Sequence, residues 1–193
     1  MENLHYILAH PICWPWIAFW AYWFVAAMFV KRIARRQSGA SRLLYFALLL
    51  PAFFLLFDPR LSFGWLDRNF MAPSHAVLLC GIAITAVGLG FAIWARIFLG
   101  SNWSGSVAVK EEHTLTRTGP YRWVRHPIYT GMLLGAAGTA VSVGEWRGVC
   151  GVALMTLGFY IKARQEEQLM MQTFGAQYDD YKRATGMLVP GIG

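Results

Sequence analysis

A chain of 193 residues that is 56% hydrophobic and only 14% charged, with nine Trp and thirteen Phe, departs strongly from the composition of a soluble globular domain. Its net charge of +7 lies mostly beside apolar runs, which argues against a nucleic-acid-binding face and for membrane topology. The three cysteines, Cys13, Cys80 and Cys150, have no metal-ligand spacing, and their odd number argues against a disulfide framework; they read as small core residues.

Met1–His10 lacks a basic n-region, and no small-x-small site closes the apolar run that follows. The first hydrophobic segment is therefore expected to remain in the mature protein. Ile12–Val30 carries no charge and is long enough to cross a hydrocarbon core of about 30 Å as a helix. It ends at the basic run Lys31-Arg32-Ile33-Ala34-Arg35-Arg36. Arg42–Phe57 is a second apolar segment, in which Pro51 predicts a kink or break. Asp58–Pro73 reads as a polar loop with Phe63, Trp65 and Phe70 at interface positions.

Ser74–Ala95 is a third span rich in Gly and Ala. Gly81 and Gly88 fall on nearly one helical face, which permits close approach of another helix. Arg96–Tyr129 is the longest polar interval. Ile128–Val143 is a fourth apolar segment, Ser142–Arg147 a tight turn, and Gly148–Ile161 a fifth segment. The chain then turns amphipathic through Lys162, Arg164, Glu166 and Glu167 to Tyr178 and Tyr181. The expected fold is all-α: a polytopic membrane bundle of about five transmembrane helices. Residues 1–73 form its N-terminal part and residues 74–193 its functional core.

Lysine and arginine fix an expected orientation. With the first basic run inside, fourteen of them fall on the inner side and only Arg60, Arg68 and Arg147 on the outer side. This puts the N-terminus outside, and both the polar interval and the C-terminal segment on the cytoplasmic face. The short chain reads as a bacterial inner-membrane protein.

Two elements meet on that face. One is Gly119-Pro-Tyr-Arg-Trp-Val-Arg-His-Pro-Ile-Tyr-Thr-Gly131, preceded by His113-Thr114-Leu115-Thr116. Pro120 and Pro127 push Gly119 and His126 into extended or turn conformations, which aims Arg125 and His126 at one place. The other is Lys162–Glu167, where Lys162 and Glu166, and Arg164 and Glu167, have the spacing of local helical ion pairs. Read blandly, these are a basic aromatic interface and a solvated helix end. Read as chemistry, they are two walls of one pocket.

The ordered series from His113-Thr114-Leu115, through Gly119–Gly131 and Glu166-Glu167, to Phe174-Gly175, Tyr178 and Tyr181 resembles the isoprenylcysteine carboxyl methyltransferase family, over roughly residues 75–190. The wider group includes phospholipid N-methyltransferases. The resemblance implies S-adenosylmethionine as cofactor, bound at the cytoplasmic helix ends rather than on a Rossmann sheet. In keeping with that, the sequence has no strand-GxGxxG-helix unit. It implies that His113, Thr114, Leu115, Thr116, Tyr121, His126 and Glu166 line the cofactor site, with Arg125 a further candidate. Lys162, Arg164 and Glu167 are the catalytic candidates.

The implied partners are the lipid bilayer and a lipophilic or lipidated methyl acceptor; no metal and no nucleic acid are expected. One departure stands out. The family pattern has arginine four residues before the first glutamate of the pair, and this chain has Lys162, which keeps the charge and loses the bidentate fork. The acceptor therefore stays open: a prenylated cysteine, a phospholipid amine, a quinone or isoprenoid intermediate and a small hydrophobic acid all fit. Two further readings are an NADPH-dependent sterol-type reductase, whose chains end in a similar Arg-His-Pro segment, and a non-enzymatic membrane scaffold.

Overall fold

The computed structural model of the chain describes residues 11–28, 33–36, 39–58, 60, 64–100, 108–110 and 115–192. Within them run five long helices: α1 (Cys13–Ala27), α2 (Gly39–Phe57), α3 (His75–Leu99), α4 (Pro127–Val143) and α5 (Trp146–Phe174). A short α6 (Ala176–Ala184) follows α5 after Gly175. The all-α expectation holds apart from one antiparallel ribbon of β1 (Ile33–Arg36) and β2 (Ala108–Lys110), with Ile33 opposite Lys110 and Arg36 opposite Ala108. The connections that follow α1 and α3 run side by side there and satisfy each other's backbone groups.

The tightest contact in the bundle is the seam between α3 and α4. A Cβ on Gly88 would lie 2.5 Å from the backbone nitrogen of Gly135, and one on Gly138 2.5 Å from that of Thr85. Glycine at these positions lets the two backbones touch, and such packing holds helices together where lipid removes the hydrophobic drive for association. The seam carries a polar knot. Thr85 and Thr139 both donate to the Gly135 carbonyl, at 3.1 and 2.9 Å, and Trp16 Nε1 on α1 donates to Thr139 Oγ1 at 2.9 Å. Trp16 and Phe19 of α1, Ala52 and Leu56 of α2, Leu89 and Ala92 of α3, and Met155 and Phe159 of α5 form the buried apolar core around it.

Three expectations change. Only α3 is both long and apolar enough to cross a bilayer, among the described residues; Leu43–Phe57 and α4 are apolar but shorter. The five expected spans are thus met in full by one helix, since α1 has 15 residues and α4 has 17, and α5 runs on past Ile161 into charged residues. Pro51 lies inside α2 and does not end it. The cysteines are not core residues: Cys80 is exposed and Cys13 and Cys150 are half-buried, because the outer faces of these helices are themselves apolar and accept a small thiol.

One end of the bundle is closed by local links. The tight turn between α4 and α5 is made by Gly144, at φ +71°, and by Glu145, the extended residue that opens α5. The backbone of Phe70 donates to the Gly144 carbonyl at 2.9 Å, and that of Trp146 to the Arg68 carbonyl at 3.1 Å. Arg147 is buried there. Its Nε lies 2.5 Å from Glu145 Oε2, and its Nη1 donates to the Leu55 carbonyl at 3.0 Å. At the other end the buried Arg96 of α3 ties α1 down, with Nη2 donating to the Ala26 carbonyl at 3.0 Å. The remaining charged residues of interest gather at that second end.

Candidate active site

The site is built where the loop entering α4 meets the charged half of α5. Gly119–Arg122 forms a 3₁₀ turn, and Gly119 adopts φ +58°, a conformation open to glycine and strained for other residues. Pro127 supplies the first residue of α4 without a wasted N–H, and His126 caps the helix at φ −122°, ψ +58°. The proline rule thus fixes where the histidine leaves the backbone. Pro120 and Tyr121 are buried beneath it, and Tyr181 Oη of α6 donates to the Tyr121 carbonyl at 2.6 Å.

His126 stands between two carboxylates of α5. Its Nδ1 is 3.4 Å from Glu166 Oε2, and its Nε2 is 3.5 Å from Glu167 Oε1. Arg125 presents Nε to the same Glu167 oxygen at 2.6 Å. Its Nη1 donates to the Lys182 carbonyl at 3.0 Å and also to the Thr185 carbonyl. Tyr129 Oη, one helical turn after His126, donates to Glu166 Oε1 at 2.6 Å. The rings of His126, Tyr129 and Phe159 form a stacked column, with centroid separations of 5.5 and 4.8 Å. Lys162, also buried, sets Nζ 5.2 Å from the Tyr45 ring and 5.3 Å from the Tyr129 ring, within cation–π range.

The charges are mutually tuned. Burial alone would lower the His126 pKa, but the close approach and negative charge of Glu166 and Glu167 outweigh it and hold the imidazole above its ordinary value. Burial would raise both carboxylates. His126 and Lys162 instead bring Glu166 below its ordinary value, and His126 and Arg125 hold Glu167 at about 2. Burial pushes the Tyr121 hydroxyl far up, so it stays protonated. The contact of His126 Nε2 with Glu167 is electrostatic rather than a hydrogen bond. Among the described residues, His126 Nε2 and Glu167 Oε2 are buried with no hydrogen-bond partner, although Lys182 Nζ approaches Glu167 Oε2 to 3.7 Å.

A buried donor and a buried acceptor left side by side are costly unless something takes them up. Such a pair, beside a second carboxylate and a column of aromatic faces, fits a zwitterionic ligand that also carries a soft cation. S-adenosylmethionine has that chemistry, with an ammonium, a carboxylate and a sulfonium. Among the described residues no cluster of His, Cys, Asp and Glu has the makings of a metal site.

Of the residues singled out in the sequence, the structure brings Tyr121, Arg125, His126, Lys162, Glu166 and Glu167 to this end of the bundle. Leu115 and Thr116 are half-buried on the approach to the turn. His113 and Thr114 lie outside the described residues. Arg164 is exposed while Glu167 is buried, and Glu167 pairs with Arg125 across the bundle instead. The site also includes Tyr45, Phe159 and Lys182, which no sequence motif marks, and Tyr129, which the motif contains without a role of its own. A helix beginning at Pro127 puts Tyr129 on the turn that follows His126, so that one was within reach of the sequence; Tyr45 had no signal.

A family model described as the isoprenylcysteine carboxyl methyltransferase (ICMT) family matches residues 76–172. The protein-S-isoprenylcysteine O-methyltransferase of Saccharomyces cerevisiae is 31% identical over 137 residues, covering 68% of this chain and 57% of the yeast protein. That of Mus musculus is 35% identical over 103 residues, covering 51% of this chain and 36% of the mouse protein. This chain thus aligns with little more than half the length of the yeast relative and about a third of the mouse one. The structure of a eukaryotic intramembrane Ras methyltransferase, isoprenylcysteine carboxyl methyltransferase, superposes with a TM-score of 0.56 at 24% identity, over 77% of this chain and 53% of that one. At that identity the likeness shows a shared fold.

Proposed function

The chain belongs to the isoprenylcysteine carboxyl methyltransferase family, and on that premise we propose that it transfers a methyl group from S-adenosylmethionine to the carboxylate of a lipophilic acceptor, of the isoprenylcysteine type, inside a membrane. The observation that carries this reading is the pairing of His126 with two carboxylates, Glu166 and Glu167, with an unused buried donor and an unused buried acceptor between them.

Glu166 and Glu167 would hold the cofactor's ammonium group, the His126 N–H its carboxylate, and the aromatic column the sulfonium. Bound there, S-adenosylmethionine supplies a methyl group already activated by the positive sulfur. The protein's share is then placement and exclusion of water rather than acid–base work. Tyr129 fixes the Glu166 carboxylate through its hydroxyl. Lys162, buried beside the Tyr45 and Tyr129 rings, would be the cation that meets an anionic acceptor. Tyr121, Leu115, Thr116, His113 and Thr114 complete the cofactor side in this reading. Arg164, exposed on α5, is left without a part in it.

The electrostatics favour a carboxylate over an amine. An ionised carboxylate needs no base, whereas a protonated amine must first lose its proton. Glu167, held at about 2 by His126 and Arg125 against its burial, is a poor base, and the two carboxylates beside His126 raise its pKa and favour its protonated form. The distribution of lysine and arginine supports an orientation with the N-terminus outside and the site on the cytoplasmic side.

The test is methyl transfer in detergent or liposomes, from S-adenosylmethionine with a labelled methyl group to an N-acylated S-prenylcysteine. The expected label is an ester that base releases as methanol. Label that survives base, or that transfers only when the acceptor is an amine lipid, would overturn the carboxylate reading.

A further inference from the structure

The C-terminal residues beyond α6 turn back and lie against the loop that carries Arg125 and His126. Val124 pairs with Gly186 as a parallel bridge. The Arg125 backbone N–H donates to the Gly186 carbonyl at 2.9 Å, the His126 N–H to the Met187 carbonyl at 3.1 Å, and the Gly186 N–H to the Trp123 carbonyl at 3.3 Å. One turn into α4, Thr130 Oγ1 donates to the Leu188 carbonyl at 2.7 Å. The segment is itself locked: Met187 N–H donates to the Ile192 carbonyl at 2.8 Å, and a Cβ on Gly186 would lie 1.9 Å from the Val189 carbonyl oxygen.

The Arg125 side chain completes the tie. Its side chain is 1% exposed, and its guanidinium divides between Glu167 and the carbonyls of Lys182 and Thr185. The sequence expectation placed Arg125 among the cofactor ligands. Its geometry instead spends it on joining α5 to the C-terminal segment.

We propose that Thr185–Leu188 is a positioning strap for His126: its backbone pairs with Trp123–His126, its Leu188 carbonyl takes the Thr130 hydroxyl, and Arg125 couples it to Glu167, so that the strap sets where the imidazole stands between the two carboxylates. Thr130 and Gly186 are positioning residues here: the Thr130 hydroxyl also reaches the His126 carbonyl at 3.2 Å and the Gly186 carbonyl accepts from the Arg125 N–H, so both act on the backbone of the loop. The groups facing His126 are Glu166 and Glu167 from α5 and Tyr129 from α4, with Arg125 and Lys182 behind Glu167. If the strap slackens, the imidazole withdraws from Glu166 and Glu167. Its protonated form then loses its stabilisers while its burial remains, so its pKa must fall.

Only the affinity readout of this inference rests on the proposed cofactor site. The primary test needs no cofactor. The full chain, with isotope-labelled histidine, is titrated by NMR in detergent micelles, and the His126 signal is identified by its loss in His126→Gln. In Thr130→Val and in Gly186→Ala the His126 midpoint is expected to drop by about one unit, and Thr130→Ser should restore it. Binding of S-adenosylhomocysteine should weaken about tenfold in the same two variants.

An unmoved midpoint in Thr130→Val, even with a lower melting temperature, would show the segment to be mere structural cover and overturn the proposal. If Gly186→Ala does not fold, Thr130→Val decides alone. If wild-type protein binds no S-adenosylhomocysteine, the methyltransferase reading fails while the histidine titration still judges the strap.

Discussion

Two buried arginines sit at opposite ends of this bundle and do different work. Arg147 is engaged close to home: its carboxylate partner Glu145 is two residues away and 26% exposed, and its remaining reach goes to the Leu55 carbonyl of α2. Nothing around it is left wanting a partner, among the described residues. Arg125 meets Glu167, 42 residues along the chain and 4% exposed, and the histidine beside it lies between two carboxylates that no local pairing created. Both arginines stitch helices together. Among the described residues, it is at the Arg125 end that the stitching leaves a buried donor and acceptor without a hydrogen-bond partner, and that surplus separates a site from a joint.

Breaking each joint should expose the difference. Arg125→Ala leaves Glu167 buried with its shortest ion pair gone, a class of change that costs about 3–5 kcal/mol. Denaturant unfolding in detergent should show a loss of that size together with loss of cofactor binding. Glu166→Ala should do the reverse: the fold survives, and affinity for S-adenosylhomocysteine falls by about 100-fold, or about 2.7 kcal/mol. Arg147→Ala should cost about 1–3 kcal/mol of stability through its lost hydrogen bonds to Glu145 and Leu55, with binding unchanged. Weakened binding in this last variant, once its folded fraction is accounted for, would mean that the two ends are coupled.

Smaller effects sharpen the comparison. Tyr129→Phe removes one hydrogen bond to a charged acceptor, and about tenfold in cofactor affinity is expected, read by calorimetry. The pH dependence of stability should carry two signatures of the Arg125 end. Glu167 is depressed from 4.5 to about 2, so its contribution is complete above 4.5 and is lost as pH falls toward 2. His126 is raised above 6.5, so its contribution is complete below 6.5 and is lost as pH rises through its higher folded value. His126→Gln should flatten the loss on the alkaline side, and Arg147→Ala should leave it in place.

The joint at the Arg147 end was nearly readable from sequence, because a tight turn and a charge pair two residues apart are local features. The site was readable in its parts. Two prolines gave the position of His126, and the family resemblance picked out Glu166 and Glu167. Their assembly was not legible. Helical spacing suggested Arg164 as the partner of Glu167, but a residue three positions earlier needs only a modest rotation to face solvent, and the buried carboxylate took the desolvated Arg125. The strap was missed for a related reason. Gly186–Leu188 carries no charge and no motif, and its contribution runs through backbone carbonyls, which any sequence supplies. The glycine seam was anticipated from Gly81 and Gly88, yet the polar knot of Trp16, Thr85 and Thr139 was not, since it needs three helices to meet.

The central claim is that the His126–Glu166–Glu167 cluster binds the methyl donor. It is tested most directly by calorimetric titration of the detergent-purified chain with S-adenosylhomocysteine, on wild type and on Glu166→Ala, with NADPH titrated alongside. Saturable binding in wild type, its loss in a folded Glu166→Ala variant, and no response to NADPH is the predicted result. Undiminished binding in Glu166→Ala, or binding of NADPH in place of S-adenosylhomocysteine, would contradict it.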